Sequence, residues 1–292
     1  MKGVFDVNKS LTVLYDEWTG CTDCDLGVAR DLLESQQVFG AGKERGILFL
    51  GEAPNGKDVR AGAIVGGQPG KFLMRVMSVF RMHKFYVTNM LACRGCTPML
   101  DESGLPIIGK SYGRTPGKPR YKDQPATRPQ TKACSERVYE EIYKADPVVI
   151  VTFGQAAAAF LRGDSFNLIR EHGIPEIISI PGAGHVATLS PKRKEWFRKV
   201  HGQLVSPVER SQVEYLMVPT YDPRDVHQKI NDESKGNPYE KFTNAMRRAK
   251  QIFDAYNEEL YDLPPDRLGT EDDLHMLMKE TQAEKLEEPD DA

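Results

Sequence analysis

Short apolar runs alternate with longer amphipathic stretches along the chain. Four of the runs have the length of buried strands, and they cover residues 47–52, 85–91, 148–154 and 215–221. Apolar residues recur at helical spacing in the stretches between and after them, which predicts helices over 70–82, 131–144, 155–162 and 239–260. This alternation is typical of a mainly parallel sheet with helices on both faces. We therefore expect an α/β fold of three layers, α/β/α, with about four central strands.

Polar residues and a glycine stand at the ends of the four predicted strands. Glu52, Asn89, Gly154 and Asp222 all fall at or just after a carboxyl end. Open parallel sheets bind their ligands in the crevice outside these ends. The pattern thus predicts a binding site at this edge of the sheet before any family is considered.

Two segments interrupt the alternation. Residues 95–131 are rich in Pro and Gly and too long for an ordinary connection, and residues 177–210 contain a further strand and helix pattern. We interpret residues 1–256 as one domain with these two insertions. Residues 257–292 form an acidic tail with little apolar content, and we expect the tail to be disordered.

Composition places the chain among ordinary globular proteins. Hydrophobic residues make up 40% and charged residues 28%. No run approaches the roughly 20 apolar residues of a membrane span, and the first residues lack the apolar core of a signal peptide. We expect a cytoplasmic monomer that does not associate with a membrane.

The net charge of −3 is unevenly distributed. The last 36 residues contain thirteen acidic and three basic side chains, a net charge of −10, so the first 256 residues carry +7. A basic body favours a polyanionic partner. An ordinary domain with a solvated tail explains the same charges equally well.

Five cysteines are present, and two of them form the motif Cys21-x-x-Cys24. An odd number does not suit a disulfide framework, and this motif in a cytoplasmic protein indicates metal or redox chemistry.

Several stretches in order resemble one family. They are Cys-Thr-Asp-Cys-Asp-Leu at 21–26, Val-Phe-Gly-Ala-Gly at 38–42, Ile-Leu-Phe-Leu-Gly-Glu-Ala-Pro at 47–54, Phe-Tyr-Val-Thr-Asn-Met-Leu-Ala-Cys-Arg at 85–94, Cys134 with Pro-Val-Val-Ile-Val-Thr-Phe-Gly-Gln-Ala-Ala at 147–157, and Val-Pro-Thr-Tyr-Asp-Pro at 218–223. Together they resemble the motifs of the family 4, iron–sulfur type of uracil-DNA glycosylase, over about residues 11–255. Each motif is weak alone, and their order carries the resemblance. It implies a DNA partner and hydrolytic excision of a flipped base.

The resemblance also implies a [4Fe–4S] cluster. The cysteines at the matching positions are Cys21, Cys24, Cys93 and Cys134, and thiolates are the usual ligands of such clusters. Cys96 leaves an alternative open, because Cys21, Cys24, Cys93 and Cys96 form a two-pair pattern suited to structural zinc. A set of buried thiols without metal is the third possibility.

In this family a side-chain amide reads uracil, and the resemblance gives that role to Asn89. The amide oxygen accepts from N3–H while the amino group donates to O4. Gly51, Ala53 and Ile64 are expected beside the base. The loop carboxylates Glu52 and Asp58 are candidates for positioning water or stabilising a sugar cation, and a surface position is the alternative, more so for Asp58.

Two positions depart from the family pattern. Ile64 stands where the family stacks an aromatic ring on the base, and such a stack is worth about 1–3 kcal/mol. Asp222 stands where the family has a histidine that donates to the leaving base, although Ser190 is a rival alignment. An ionised Asp222 only accepts hydrogen bonds and repels an anion. Unless burial keeps it protonated, excision is weakened, and Asp222→His is expected to raise it.

A basic segment lies between residues 109 and 133. Its cations are Lys110, Arg114, Lys118, Arg120, Lys122, Arg128 and Lys132, with Tyr112 and Tyr121 among them. Lys and Arg neutralise phosphates and tyrosines stack on unpaired bases, so we expect DNA binding here. A solvated loop is the simpler interpretation.

Three functions are consistent with these features. The first is a DNA glycosylase for uracil or a related modified base. The second is a catalytically weakened DNA-binding accessory protein of replication or repair, with protein partners in that process. The third is a DNA mimic or a partner-binding protein that uses the acidic tail, Asp262 to Asp291.

Overall fold

The computed structural model describes residues 11–30, 36–64, 66–108, 119–181, 212–229 and 237–261. Its helices are α1 (Leu11–Trp18), α2 (Asp25–Ala29), α3 (Gly56–Ala61), α4 (Gly67–Val79), α5 (Arg128–Ala145), α6 (Gly154–Arg162), α7 (Leu168–Glu171), α8 (Pro223–Gln228) and α9 (Pro238–Tyr261). Its strands are β1 (Ala41–Gly42), β2 (Ile47–Gly51), β3 (Phe85–Asn89), β4 (Cys96–Pro98), β5 (Tyr121–Asp123), β6 (Val149–Phe153), β7 (Glu176–Pro181) and β8 (Gln212–Thr220).

Six strands form the central sheet in the order β1-β3-β2-β6-β8-β7. The four inner strands are the four that the sequence predicts, and all of them run parallel. Their carboxyl ends therefore meet at one edge, as expected. The short β1 and the longer β7 pair antiparallel at the two outer positions.

Helices cover both faces of the sheet. One core contains the apolar side of α4, α8 and α9 against Ile47, Phe49 and Val151. The other packs α5, α6 and α7 against Leu48, Leu50 and Ile150. Successive residues of β2 thus enter different cores, which is why this strand is apolar throughout. The three-layer α/β/α fold is confirmed.

The expected number of about four strands is too low. The sheet is mixed and has six strands, because β1 and β7 each pair antiparallel with an edge of the four parallel strands. Strand β1 has only two residues, too few for an alternation pattern to show. Strand β7 lies in the segment interpreted as an insertion, and residues 182–211 lie outside the described residues.

The Pro- and Gly-rich segment after residue 95 forms a hairpin where it is described. Strands β4 and β5 pair antiparallel, and isolated bridges join Leu100 to Pro106 and Ile108 to Pro119. Arg94 ties the base of the hairpin to Asp123 at 2.5 Å. Residues 109–118 lie outside the described residues, as do residues 262–292 of the predicted tail.

The last helix passes the predicted domain end at residue 256 and reaches Tyr261. Among the described residues, no helix is both long and apolar enough to cross a membrane.

Candidate nucleobase site

A cavity opens at the carboxyl ends of the parallel strands. Its lining includes six residues that the sequence predicts for the site: Gly51, Ala53, Asp58, Ile64, Asn89 and Asp222. They come from the ends of β2 and β3, the loops on either side of α3, and the residue after β8. Parallel register brings them together, since Gly51 lies directly opposite Asn89.

Asn89 is buried beneath this cavity and has an unused donor. The Nδ2 atom of its amide has no hydrogen-bond partner among the described residues. Its backbone carbonyl accepts from Arg137 at 2.6 Å, which holds the end of β3 in place. A buried amide without a partner is costly, and such groups in folded proteins require an explanation. A ligand in the cavity supplies one.

Gly51 gives the Asn89 amide its space. A Cβ atom at residue 51 lies 2.3 Å from Asn89 Oδ1, far closer than real Cβ contacts. Any larger residue there displaces the amide. Gly51 therefore contributes to the site by what it lacks, and its prediction as a cavity residue fits this geometry.

Asp58 is buried and fully engaged by backbone groups. Its two carboxylate oxygens accept from Asn55 N–H at 2.9 Å and from Gly66 N–H at 2.6 Å. Asn55 in turn caps α3, so the two side chains form a capping box. Burial raises the pKa of Asp58, opposed by these backbone donors. The surface position that the sequence left open for Asp58 is wrong, and its contacts favour shaping the loop over activating water.

Glu52 lies beside the cavity without lining it. Its Oε1 atom accepts from Ala126 N–H at 2.6 Å, which ties the end of β2 to the segment before α5. Its negative charge still acts on Arg224 across the site and helps to raise the pKa of that guanidinium.

Asp222 caps α8 and holds an arginine that the sequence did not predict. Its Oδ1 atom accepts from the backbone N–H of Arg224 at 2.7 Å and from Nε at 3.0 Å, and its Oδ2 atom accepts from an Arg224 terminal nitrogen at 2.7 Å. Both residues line the cavity. Burial lowers the pKa of Arg224, but the hydrogen bonds and negative charge of Asp222, followed by Glu52 and Asp58, outweigh it and raise that pKa above its ordinary value.

Phe153 is a second cavity residue that the sequence analysis missed. It ends β6, lines the cavity with Ile64, and stacks on Phe49 with ring centroids 5.5 Å apart. Gly154 follows it with φ +84°, a conformation that favours glycine and turns the chain sharply into α6. An aromatic ring is thus present in the cavity although Ile64 occupies the expected position.

Three of the four cysteines that the resemblance implies as ligands contribute to one small cluster. Cys93 is buried with Leu26 and Leu91, and Cys24 and Cys134 pack against it. Burial raises the pKa of the Cys93 thiol to about 12, with further contributions from Cys134, Cys24 and Cys21. Burial also raises the pKa of the Cys96 thiol, with smaller effects from the charges of Arg94 and Asp123. Cys93 therefore lies with Cys24 and Cys134 of the cluster set.

The described ranges contain no group of three or more His, Cys, Asp or Glu side chains close enough to hold a single metal ion. Four irons and their sulfides separate thiolates more widely than one zinc ion does, so a cuboidal cluster needs a looser arrangement.

The predicted DNA-binding cations are only partly described. Lys122 and Lys132 are exposed, as is Arg128, whose guanidinium pairs with Asp164 at 2.8 Å on the surface. Arg120 is half-buried. Lys110, Arg114 and Lys118 lie outside the described residues, as do Tyr112 and Ser190.

A second cationic surface, which the sequence did not predict, lies beside β8. We call it the α9 groove, and its polar lining consists of His172, Lys241, Asn244, Arg247, Arg248 and Gln251. His172 stacks on Tyr221 with ring centroids 4.8 Å apart. Tyr221 directly precedes Asp222 in the chain. A residue that contacts the groove is thus the chain neighbour of one that lines the cavity.

Comparison with known families agrees with this geometry. The model of the uracil DNA glycosylase superfamily matches residues 39–247, and the chain belongs to that superfamily. Its function is accordingly DNA glycosylase-like. A search of curated proteins finds no match. The matched region starts after Cys21 and Cys24, so it does not bear on the iron–sulfur subtype.

Proposed function

We propose that this protein is a DNA N-glycosylase that flips uracil or a related modified base into the cavity and removes it by hydrolysis. The observation that carries the proposal is the buried Asn89 Nδ2 atom, which has no partner among the described residues and belongs to a cavity-lining residue. An amino group in this position donates to a carbonyl oxygen such as uracil O4. Superfamily membership supports the same chemistry.

The reaction breaks the bond between the sugar carbon and the base nitrogen. The electron pair leaves with the base, and the sugar becomes cation-like until a water molecule adds its oxygen and releases a proton. Glu52 and Asp222 both bring negative charge near Arg224, and Glu52, which is not paired with that guanidinium, is the candidate for stabilising the sugar cation. Phe153 and Ile64 provide apolar surface for the base.

We also propose that Cys21, Cys24, Cys93 and Cys134 hold a [4Fe–4S] cluster. Support comes from the grouping of Cys24 and Cys134 around Cys93 and the influence of all three other thiols on its pKa. The cluster would supply a structural link between the α1–α2 segment, the chain after β3 and α5. No step of the reaction depends on it.

The DNA would lie across the carboxyl edge of the sheet. Lys122 and Lys132 are exposed, and the α9 groove adds further cationic side chains that could hold phosphates. Exposed apolar residues of the hairpin, among them Leu100 and Leu105, add surface for unstacked bases. The cytoplasmic location, the monomeric state and a replication or repair partner stay predictions.

One assay tests the function. Oligonucleotides that carry a single uracil, hypoxanthine or hydroxymethyluracil are incubated with the protein and then treated with alkali, which breaks the strand wherever a base is missing. Strand cleavage with one substrate identifies the base, and Asn89→Ala should abolish it. The matched control Asn257→Ala, near the end of α9 and outside the linings of the cavity and the α9 groove, should leave cleavage at the wild-type rate.

The accessory-protein hypothesis has its own support. Asp222 occupies the position of the family histidine and is fully engaged by Arg224, so it offers no donor to a leaving base. DNA binding without cleavage of any substrate selects this alternative.

A further inference from the structure

We propose that Arg224 is the residue that stabilises the negative charge of the leaving base, and that Asp222 is a positioning residue for Arg224. This inference rests on the proposed glycosylase function. It moves the role that the family resemblance attaches to position 222 to a side chain two residues further along.

The geometry leaves part of the guanidinium available. An arginine carries five N–H donors. Asp222 takes Nε–H and one N–H of a terminal nitrogen in a two-pronged pair, at 3.0 and 2.7 Å. Three N–H groups remain, and no other residue in the described ranges accepts from them. The side chain is 34% exposed and lines the cavity with Asn89 and Phe153.

The clamp fixes the direction of the remaining donors. Asp222 is held in turn by its cap on the first turn of α8, through the backbone N–H of Arg224. A planar guanidinium bound along one edge presents its other edge in a set orientation. The Asp222 carboxylate therefore adds a negative charge to the site, but it also pre-orients the Arg224 cation in the wall of the cavity.

The surrounding charges keep Arg224 cationic throughout the reaction. Asp222, Glu52 and Asp58 all favour its charged form. When the glycosidic bond breaks, the electron pair moves onto the base ring and its carbonyl oxygens, and the guanidinium donates hydrogen bonds to this charge without transferring a proton. The proton that finally neutralises the base comes from solvent.

This assignment changes the expectation for position 222. Asp222→His was expected to raise excision by adding a donor. In the structure the same change removes the clamp on Arg224 and the cap of α8, so it should lower excision instead.

The test uses the acidity of the leaving base. Single-turnover excision is measured for oligonucleotides that contain uracil or 5-fluorouracil, whose anion is more stable and needs less help. Arg224→Gln should slow uracil excision by about 10²–10³-fold, the effect of removing one donor to a developing anion. It should slow 5-fluorouracil excision much less. Arg224→Lys should excise uracil at a rate between those of the wild type and Arg224→Gln. The matched control is Arg162→Gln, a change of a surface arginine paired with Glu176, and it should alter neither rate.

A second experiment measures binding of a free base and tests the role of Arg224 even if no base is excised. The free base 5-nitrouracil is acidic enough to ionise near neutral pH, and its affinity for the wild-type protein should rise as it becomes an anion. Arg224→Gln should remove that rise while keeping the affinity for the neutral base.

The outcomes separate the two proposals. Equal slowing of both substrates, or an unchanged pH dependence of nitrouracil binding in Arg224→Gln, overturns the role of Arg224 and leaves the glycosylase intact. Nitrouracil binding that depends on Arg224, without excision of any base, removes the glycosylase function and with it the catalytic role, and leaves Arg224 as a residue that binds an anionic base. Absence of both binding and excision contradicts both.

Discussion

Asn89 depends on its opposite neighbour in the sheet. Gly51 and Asn89 are partners in register, and the amide fills the space that a Cβ at residue 51 would need. The same two residues stand out in the sequence because each ends an apolar strand. At this scale the candidate site could be predicted well wherever a residue ends a strand.

The residues that sequence reasoning missed are of another kind. Arg224 lies inside a helix start, and nothing in the letters Asp-Pro-Arg shows that the side chain folds back onto its own cap. Phe153 belongs to an apolar run and looks like core until the cavity is seen beside it. Both depend on side-chain direction, which hydrophobic periodicity does not determine.

Gly51→Ala should weaken base recognition as much as Asn89→Ala does. The added methyl group displaces the amide, so the double variant should be no worse than either single variant, a non-additivity expected of residues that act as a unit. Free uracil affinity measured by calorimetry checks this. Gly46→Ala is the matched control, because its Cβ lies 2.2 Å from the Lys84 carbonyl oxygen at the far end of the sheet.

Gly46→Ala should therefore cost stability and spare affinity. Additive losses in Gly51→Ala/Asn89→Ala would show that Gly51 acts elsewhere.

Asp58 should make stability fall as pH rises. Burial raises its pKa above the usual value of 3.8, so the folded state binds this proton more tightly than the unfolded state does. Its contribution is therefore fully present below pH 3.8 and is lost as pH rises through the folded-state pKa. The difference in unfolding free energy between wild type and Asp58→Asn, from urea titrations, should decline over that window. A rising difference would contradict the direction of the shift.

At the scale of elements, a buried ion pair joins α5 to the end of β3. Arg137 and Glu141 are almost fully buried and pair with each other, and Arg137 also donates to the carbonyls of Asn89 and Met90. Glu141 accepts from the hydroxyls of Tyr15 and Tyr86. Through the hydrogen bond from Arg137 to its backbone carbonyl, this network holds Asn89 in place.

Arg137→Met should destabilise the protein by about 3–5 kcal/mol, because it leaves Glu141 as an uncompensated buried charge. Arg137→Met/Glu141→Leu should recover part of that loss. Denaturant unfolding measures the stability of both variants, provided that the slope of free energy against denaturant concentration is the same for each. A double variant that is less stable than Arg137→Met alone would show that the charge of Glu141 is satisfied by the tyrosines.

The cysteines test how three distant elements are joined. If the cluster is present, purified protein should be brown and contain iron, and Cys93→Ser or Cys134→Ser should lose both colour and iron. Cys96→Ser should keep them, because Cys96 is not among the four cysteines that the family resemblance implies as cluster ligands. A colourless protein that loses zinc in Cys96→Ser but not in Cys134→Ser would establish the zinc alternative.

The order and type of the main elements could be predicted because the four inner strands are apolar on both faces and the helices have a single apolar side. The edge strands could not. An edge strand has fewer neighbours to satisfy, so β1 is too short to show a pattern, and β7 resembles any short apolar segment.

For the whole molecule, the positions of the basic side chains on the surface matter as well as the net charge. The sequence places the basic side chains in the body, and the structure concentrates some of them in the α9 groove. This surface combines His172 with residues about seventy positions later, and therefore no local charge run predicted it.

Lys241→Ala/Arg248→Ala should weaken DNA binding and reduce the slope of log affinity against log salt by about 2, since each phosphate contact contributes about 0.9. Fluorescence anisotropy at several salt concentrations measures the slope. Lys43→Ala/Lys84→Ala, at the opposite end of the strands, removes the same charge and is the control. An equal effect of both pairs would mean that net charge alone governs binding.

The most direct test of the central claim is a crystal structure of the protein bound to an oligonucleotide with an uncleavable deoxyuridine analogue. We predict that the uracil lies outside the base stack, in the cavity between Asn89, Phe153 and Arg224, with its O4 atom within hydrogen-bonding distance of Asn89 Nδ2. A uracil that stays stacked in the DNA, or binds away from the carboxyl ends of the strands, would contradict it.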